Sequence, residues 1–370
     1  MLFIRSSILA LSAALFVACG DNPVSEDREE AQEGGSTDLG EINGQGAAGA
    51  PLPMLTVTDS LGRFDGSVGG LALWQHPREV FKSAVMAANG PAGLFLIPMD
   101  RAAPSQLTGD FTASVAVTYV EGTALAVAYD KYQGSSNLRF FAIDDQDRVL
   151  VPLASFPVQR PARALCFAGL NLIQIDDEGS VSHHRLALEG GRLSMATDAL
   201  NKGPSYRDCA SDGEHIYLLQ DNGRVVIQPV GNGNEPASDD LPSFPEAIAM
   251  EVMPTQSGPI FIALQPNGSL LMNDQSFALK TIEGEEVKPS QFALGSGNFG
   301  TVYRDGAIAI LTDENALYLL PWLGVQTALD IEAPSISLRT LSSARENTSF
   351  TPSLDLPPLG LTPQAVPLQE

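Results

Sequence analysis

The chain has 370 residues, of which 44% are hydrophobic, and it contains 34 glycines and 26 prolines. This composition supports a sizeable core divided among many short strands, and no segment shows the apolar periodicity of a long helix. With 44 acidic residues against 21 basic ones, the formal net charge is -23. Such a surface repels a phosphate backbone, so nucleic acid is not expected as a partner.

Residues 1–18 have the pattern of a signal peptide. A single positive charge, Arg5, precedes the apolar stretch Ile8–Val17, which is too short to span a bilayer. The stretch leads to Cys19 in a sequence that resembles the bacterial lipobox, although Phe16 stands where that pattern prefers Leu. Cys19 is therefore the predicted lipidation site, and the predicted location is the bacterial cell envelope, on its periplasmic or outer-membrane face. The alternative is a soluble secreted protein that is cleaved nearby.

The next segment, residues 19–53, predicts an acidic tether. Between Gly20 and Pro53 there are eight acidic residues and one basic residue, Arg28. A segment of this composition cannot bury a core, and its like charges repel one another. We therefore expect a flexible connection between the lipidated cysteine and a folded domain that begins near Met54.

Residues 54–325 carry a repeat that predicts an all-β fold, a six-bladed β-propeller. Its clearest unit is Tyr206–Val230, in which Asn222-Gly223 separates two apolar runs, the strongest short hairpin signal. Equivalent turns recur every 42 to 47 residues, at Gly93, Asn137, Gly179, Gly223, Gly268 and Asn315. A repeat of this length built from short strands indicates one blade per repeat.

The two ends of the repeat region predict how the ring closes and where the folded domain ends. A lone strand at Leu55 is expected to pair with the last blade and close the ring, because closure removes an open sheet edge. Residues 326–370 are rich in proline and are expected to form a C-terminal tail, extended along the propeller or frayed. A partner-binding role for this tail is the alternative.

The cysteines give a separate prediction. With Cys19 lipidated, Cys166 and Cys209 remain, at matching positions of neighbouring blades. Two cysteines in an exported protein are usually disulfide-bonded. Matching positions of adjacent blades are expected to lie farther apart than the roughly 7 Å between Cα atoms that a disulfide can bridge. We therefore predict two buried free thiols.

The order of short segments along the repeats is similar to that of the β-propeller phytases, which are calcium-dependent bacterial enzymes that remove phosphate from inositol hexakisphosphate. The matching segments are Leu55-Thr56-Val57-Thr58, Ala72-Leu73-Trp74, Gly93-Leu94, Val115 to Tyr119, Phe141 to Asp144, Leu165-Cys166-Phe167, Cys209 to Asp212 and Leu319 to Trp322. The resemblance implies a six-bladed propeller. It also implies several calcium ions held by clustered carboxylates, which offset substrate charge and activate water.

The sequence departs from this family at positions that carry its chemistry. Gly69-Gly70 stands where the family has a calcium-binding Asp pair, and Gly90-Pro91 where it has a phosphate-binding lysine pair. Ala116 and Thr118 replace a carboxylate and a guanidinium, and Tyr318 replaces a lysine of the last blade. Most of the charged groups that the family uses are therefore absent from the matching positions.

A small set of candidate site residues remains. The catalytic candidates are Lys131, Arg207 and Asp313, and the calcium candidates are Asp130, Asp212, Asp221 and Asp313. Lys131 keeps one positive charge of a family Asn-Arg pair, whereas Arg207 puts a cation where the family has a calcium-binding glutamate. The competing interpretation of the four aspartates is that they are turn residues that cap strands.

These residues lead to the expectation of a lipid-anchored propeller with degenerate catalytic equipment, acting as a binding or scaffolding module. The alternative is an active calcium-dependent phytase with rearranged ligands, and a third interpretation is a scaffold that binds no small ligand. Calcium is the one cofactor that the resemblance suggests. The expected partners are the membrane, through the lipid at Cys19, and a phosphorylated small molecule or an envelope protein.

Overall fold

A computed structural model of the chain describes residues 51–331, apart from 121, 132–133, 202, 229–240 and 256. The described residues are nearly all β and form six small sheets, arranged as the six-bladed β-propeller that the sequence predicts. In this part of the chain, no helix has both the length and the apolar character needed to cross a membrane. The predicted signal peptide, the lipidation site Cys19, almost all of the tether and the tail beyond Ile331 lie outside the described residues.

Two strands precede the repeats, β1 (Met54–Thr56) and β2 (Asp59–Arg63). Blade 1 consists of β3 (Gly70–Trp74), β4 (Ala84–Ala88), β5 (Leu94–Pro98) and β6 (Ser105–Leu107), with a 3-10 turn at Val80–Lys82. Blade 2 consists of β7 (Val115–Val120), β8 (Thr123–Asp130), β9 (Asn137–Asp144) and β10 (Val149–Pro157). Blade 3 consists of β11 (Ala162–Ala168), β12 (Asn171–Asp176), β13 (Val181–Glu189) and β14 (Arg192–Asn201).

The second half of the ring is less regular. Among the described residues, blade 4 has three strands, β15 (Tyr206–Ser211), β16 (Ile216–Gln220) and β17 (Val225–Gln228). Blade 5 has β18 (Ala249–Thr255), β19 (Gly258–Leu264), β20 (Leu270–Met272) and β21 (Gln275–Lys280), with β22 (Glu286–Val287) paired to β21. Blade 6 has β23 (Pro289–Gly295), β24 (Ala307–Thr312) and β25 (Ala316–Pro321). The helix α1 (Trp322–Leu329) follows, and it extends beyond residue 326, the predicted start of the C-terminal tail.

The predicted turns join the second and third strands of each blade. A positive φ is found at Gly93, Gly179, Gly223, Gly268 and Asn315, as these turns require. At Gly223 a Cβ atom would lie 2.4 Å from the carbonyl oxygen of Phe244, so only glycine fits. Blade 2 differs from the prediction, because its positive-φ glycine in this turn is Gly134 and Asn137 instead begins β9.

The first strands of the six blades contact one another in cyclic order, which places them around the axis of the ring. Hydrophobic clusters fill the spaces between neighbouring blades. Met86, Phe111 and Phe141 join blade 1 to blade 2 and are fully buried. Met272 and Ile310 belong to a second cluster that joins blade 5 to blade 6. The core is therefore divided among the junctions between blades rather than gathered at one centre.

The ring is closed by β2, and not by the strand at Leu55 as predicted. The second of the two N-terminal strands pairs antiparallel with β25 and completes blade 6. Leu55 lies in β1, which pairs in parallel with β21 of blade 5. Leu55 and Val57 are buried in the cluster that also contains Trp322, and this packing holds β1 beside blade 5.

The prediction of two free thiols is wrong, because Cys166 and Cys209 form a disulfide with a Cα–Cα distance of 6.1 Å. Both cysteines lie on first strands, β11 and β15, which are neighbours around the axis. Radial sheets converge at the axis, so matching positions of adjacent blades come close there and separate farther out. The expected separation applies to outer strands and fails for inner ones.

Reduction of the Cys166–Cys209 disulfide is expected to lower the free energy of unfolding by about 2 to 4 kcal/mol, because the bond closes a long loop in the unfolded chain. Urea unfolding with and without a reductant measures this loss, and the Cys166→Ala/Cys209→Ala double variant should reproduce it without one. Equal midpoints under both conditions, together with two alkylated thiols in the unreduced protein, would contradict the assignment.

Candidate functional site

The four calcium candidates do not converge. Asp130 ends β8 in blade 2 and Asp313 follows β24 in blade 6. Asp212 and Asp221 share blade 4 but lie on either side of β16, before and after that strand. The structure therefore separates the carboxylates that a shared calcium site would need to bring together.

Asp130 is held within a structural ion pair. Its side chain is almost fully buried, and Oδ2 accepts a hydrogen bond from Arg139 at 2.9 Å. Oδ1 accepts a second bond from the backbone N–H of Asp110 at 3.0 Å. The Arg139 guanidinium also lies over the rings of Phe111 and Phe141, at 5.3 and 5.4 Å from their centroids. Both carboxylate oxygens of Asp130 are thus bonded inside the protein.

Asp212 caps the turn that leads into β16. Oδ1 accepts backbone hydrogen bonds from Glu214 at 2.9 Å and from His215 at 2.7 Å, and Oδ2 accepts one from the Tyr217 hydroxyl at 2.8 Å. Burial alone would raise the pKa of Asp212, but these hydrogen bonds hold the pKa below its usual value. This arrangement matches the turn-residue interpretation of the sequence.

Asp221 and Arg207 pair with each other. The Arg207 Nε lies 3.5 Å from Asp221 Oδ1, and the guanidinium donates to the carbonyl oxygens of Asp221 and Ala247. A hydrogen bond from Ser205, with the charges of Arg207 and Arg163, lowers the pKa of Asp221 despite some burial. The guanidinium of Arg207 is therefore engaged by blade 4 and by the chain that follows it.

The other two candidates, Lys131 and Asp313, are exposed residues of blades 2 and 6. Their backbone N–H groups bond to the carbonyl oxygens of Asp110 and Lys288. Within the described ranges, no group of three or more His, Cys, Asp or Glu side chains is placed to hold a metal ion. Calcium takes six to eight oxygen ligands, so the calcium candidates of this chain do not fit a phytase-like calcium site.

The glycines at the replaced positions are required by packing. A Cβ atom on Gly69 would lie 2.3 Å from the carbonyl oxygen of Thr112, and one on Gly70 would lie 2.7 Å from the Cα of Ser114. Real Cβ atoms do not approach that closely, so an acidic pair would need the backbone before β7 to move. At the second replaced position, Gly90 has a φ of 48° and exchanges two backbone hydrogen bonds with Phe111.

The structure brings together a carboxylate pair that the sequence analysis missed. Asp208 and Glu251 are half-buried residues of β15 and β18, the first strands of blades 4 and 5. Asp208 Oδ2 accepts a hydrogen bond from the backbone N–H of Met250 at 2.7 Å, which links the two blades. Glu251 follows Met250 on the same strand, β18.

Burial shifts the pKa of both carboxyls. It raises the pKa of Asp208 to about 6, against the opposing effects of the Met250 and Cys209 amides and of Arg163. Burial, followed by the charge of Asp208, raises the pKa of Glu251 well above its usual range. Such a pair holds a proton at pH values where ordinary carboxylates are ionised.

A signal for this pair was present in the sequence. Both residues lie on first strands, and they are one repeat apart, as Cys166 and Cys209 are. The prediction for this strand rested on the phytase pattern, which draws attention to the neighbouring Arg207. Matching positions of neighbouring blades entered the prediction for the cysteines only.

Several solved structures are similar to this chain at low sequence identity. No protein-family model and no curated protein matches the chain. A structure of BBS1N in complex with ARL6DN is 17% identical, covers 68% of this chain and 77% of that one, and has a TM-score of 0.40. The computationally designed Ika8 protein is 12% identical, with 72% and 74% covered and a TM-score of 0.38. A chain of the mitotic checkpoint complex is 11% identical, with 74% and 97% covered and a TM-score of 0.43.

We predict that Asp130→Asn lowers the free energy of unfolding by about 1 to 3 kcal/mol, because it weakens a buried pairing with Arg139. The loss should be the same with and without calcium, since Asp130 is bonded to protein groups only. Urea unfolding in the presence of calcium or a chelator measures both values. Asp313→Asn is the matched control and should change stability little. A destabilisation of Asp130→Asn that appears only with calcium would identify Asp130 as a ligand instead.

Proposed function

We propose that this protein is a binding or scaffolding module of the bacterial cell envelope, attached to the membrane by a lipid on Cys19. Its propeller resembles that of the phytases but lacks their catalytic equipment. The observation that carries this proposal is the close approach of blade 2 to Gly69 and Gly70. At the positions where the family binds calcium, the backbone leaves no room for a side chain.

Electrostatics supports the same proposal. Phosphoryl transfer depends on cations that offset charge in the transition state. In this chain the guanidinium of Arg207 is engaged by Asp221 and Ala247, and Tyr318 packs against the hydrophobic cluster between blades 5 and 6. With a net charge of -23, the protein offers little to attract a dense polyanion such as inositol hexakisphosphate.

A rigid frame that presents loops suits a binding role. The inner strands of blades 3 and 4 are joined by a disulfide, and those of blades 4 and 5 by the bond from Met250 to Asp208. Binding residues are commonly carried on loops that a rigid scaffold positions. Ligand specificity would then reside in the connections between strands rather than at the axis.

We expect the purified full chain to release no phosphate from calcium phytate. Loss of one electrostatic donor commonly lowers a rate by about 100- to 1000-fold, and several are replaced here. A colorimetric assay of released phosphate gives the rate, and calorimetry with calcium tests metal binding independently. A turnover on the order of 10 per second would support the alternative, an active phytase with rearranged ligands. If such a turnover is found, the rates of the variants Arg207→Ala and Asp313→Asn would show whether these two residues take part in catalysis.

Membrane attachment gives a separate prediction. Cys19→Ser is expected to move the protein from the membrane fraction to the soluble fraction, because the lipid on Cys19 is the proposed anchor and stable attachment requires more than one lipid chain or signal. Fractionation and mass spectrometry of the N-terminal peptide measure the change. Phe16→Leu restores the residue that the lipobox prefers and should remain attached. A wild-type protein that is soluble with an unmodified Cys19 would refute the anchor.

A further inference from the structure

We propose that residues 335–340 of the same chain add a strand to the open edge of β1 and fill an apolar groove between β1 and α1. The proposal concerns how the chain covers one surface of its own propeller, and it does not rest on the proposed function. Residues 335–340 lie outside the described residues, whereas the groove lies wholly within them.

The groove between β1 and α1 has a volume of about 620 Å³ and a mostly apolar lining. Three large hydrophobic side chains that line it are exposed to solvent, Met54 by 43%, Val302 by 53% and Leu323 by 48%. Its size is that of a pocket which receives a ligand. Exposed apolar side chains that lie together in this way mark a surface to which another segment binds.

The first wall of the groove is a strand with an open edge. β1 ends its sheet and pairs with β21 alone. The N–H of Val57 is bonded to the carbonyl oxygen of Lys280, on the side of β21. Because successive residues of a strand direct their backbone groups to opposite edges, those of Met54 and Thr56 point away from β21. Within the described part of the chain, these groups have no hydrogen-bond partner. An edge of this kind accepts an added strand, the mode of recognition called β-augmentation.

The second wall is one face of α1. Its groove-lining residues are Leu323, Gly324, Thr327 and Ala328, and all four are exposed. A Cβ atom added at Gly324 would meet nothing within 4 Å, so there is open space in front of the helix. A strand added to β1 would therefore find backbone partners on one side and room for apolar side chains on the other.

The chain after α1 starts close to this groove. The helix ends at Leu329, Asp330 has a left-handed φ of 52°, and Ile331 packs against the cluster that contains Leu55, itself a lining residue. Residue 335 is four residues farther on, which is a reach of up to about 13 Å, roughly the length of α1. A segment tethered at such a distance has an effective concentration in the millimolar range, so weak contacts suffice to hold it.

Residues 335–340 have the pattern of an edge strand. Their sequence is S-I-S-L-R-T, in which Ile336 and Leu338 alternate with polar residues. This alternation directs both apolar side chains to one face, toward the groove, and Arg339 to the solvent.

The other segments outside the described residues suit the groove less well. Residues 351–370 contain five prolines, which cannot donate hydrogen bonds to a neighbouring strand. Residues 20–50 contain eight acidic residues, which are costly to place in an apolar groove. The one charged residue of the groove lining, Arg304, is already paired with Asp305 at 3.2 Å.

Hydrogen exchange of the full chain, resolved to single residues by fragmentation in the mass spectrometer, tests the added strand. The amides of Met54 and Thr56 should exchange about tenfold more slowly in the wild type than in Ile336→Asp/Leu338→Asp, because they lose their hydrogen-bond partners in the variant. The amide of Val57, bonded to Lys280, should change little. Equal rates for Met54 and Thr56 in the two proteins would overturn the proposal.

Two further variants separate this segment from the rest of the tail. Leu359→Asp/Leu361→Asp introduces the same charges into the proline-rich part and is the matched control, so it should keep the wild-type protection. Leu323→Asp changes an exposed side chain of the opposite wall and should lose the protection as the tail variant does. A control that loses as much protection as Ile336→Asp/Leu338→Asp would refute the assignment to residues 335–340.

Cysteine pairs distinguish the chain's own segment from that of a second copy. In a Cys19→Ser background, Met54→Cys combined with Leu338→Cys should be joined by a short thiol cross-linker in a chain that runs as a monomer on a denaturing gel. Met54→Cys combined with Leu361→Cys is the control and should link far less. Cross-linked dimers would assign the groove to a second copy and overturn the proposal, as would the absence of any link at Leu338→Cys.

Discussion

The first strands of the six blades meet around the axis, where each has an edge with no further strand to pair with. Backbone amides on such an edge need other partners, because an unsatisfied buried amide costs about 1 to 3 kcal/mol. Side chains of neighbouring blades supply several of these partners. The hydroxyl of Tyr119 accepts a hydrogen bond from the backbone amide of Gln75, and the hydroxyl of Ser114 accepts one from the amide of Leu165. The carboxylate of Asp208 accepts one from the amide of Met250. At the junction of blades 3 and 4 a disulfide provides the link instead. The positions of blades 1 to 5 relative to one another therefore depend on links that are about one repeat apart in the sequence.

The close approach of blade 2 to the start of β3 leaves no room for the acidic pair that the proposed resemblance to the phytases would place there. Trp74, in one of the segments on which that proposed resemblance rests, is fully buried beside blade 2. Two of the positions that would differ from the family, Gly69 and Gly70, lie where backbones touch. Gly69 and Gly70 cannot carry carboxylates while the chain before β7 runs past them. The packing of blade 2 against blade 1 and an acidic pair at the start of β3 are thus mutually exclusive in this arrangement.

The sequence predicts local features of the fold well and relations between blades poorly. The turns at Gly179, Gly223 and Gly268 could be predicted because each requires a positive φ, which favours glycine. That requirement depends on only a few adjacent residues. The disulfide and the placement of Asp208 and Glu251 on adjacent inner strands depend on how sheets converge at the axis, whereas the closure depends on β2 pairing as an outer strand with the distant β25. No single repeat contains that information. Of the candidate site, Arg207 was identified, but its engagement by Asp221 and Ala247 arises only when blade 4 meets the chain that follows it.

At the junction of blades 4 and 5, the hydrogen bond from Met250 to Asp208 near the axis is combined with an aromatic contact farther out. Tyr217 and Phe261 meet edge to face there, with ring centroids 4.9 Å apart. Tyr217 lies on β16, which pairs directly with the strand of Asp208, and Phe261 lies on β19, which pairs directly with the strand of Glu251. Any movement of β15 away from β18 is therefore transmitted to the aromatic contact through two hydrogen-bonded strand pairs. The disulfide on the other side of β15 joins the same strand to blade 3, so β15 is linked near the axis to both of its neighbours.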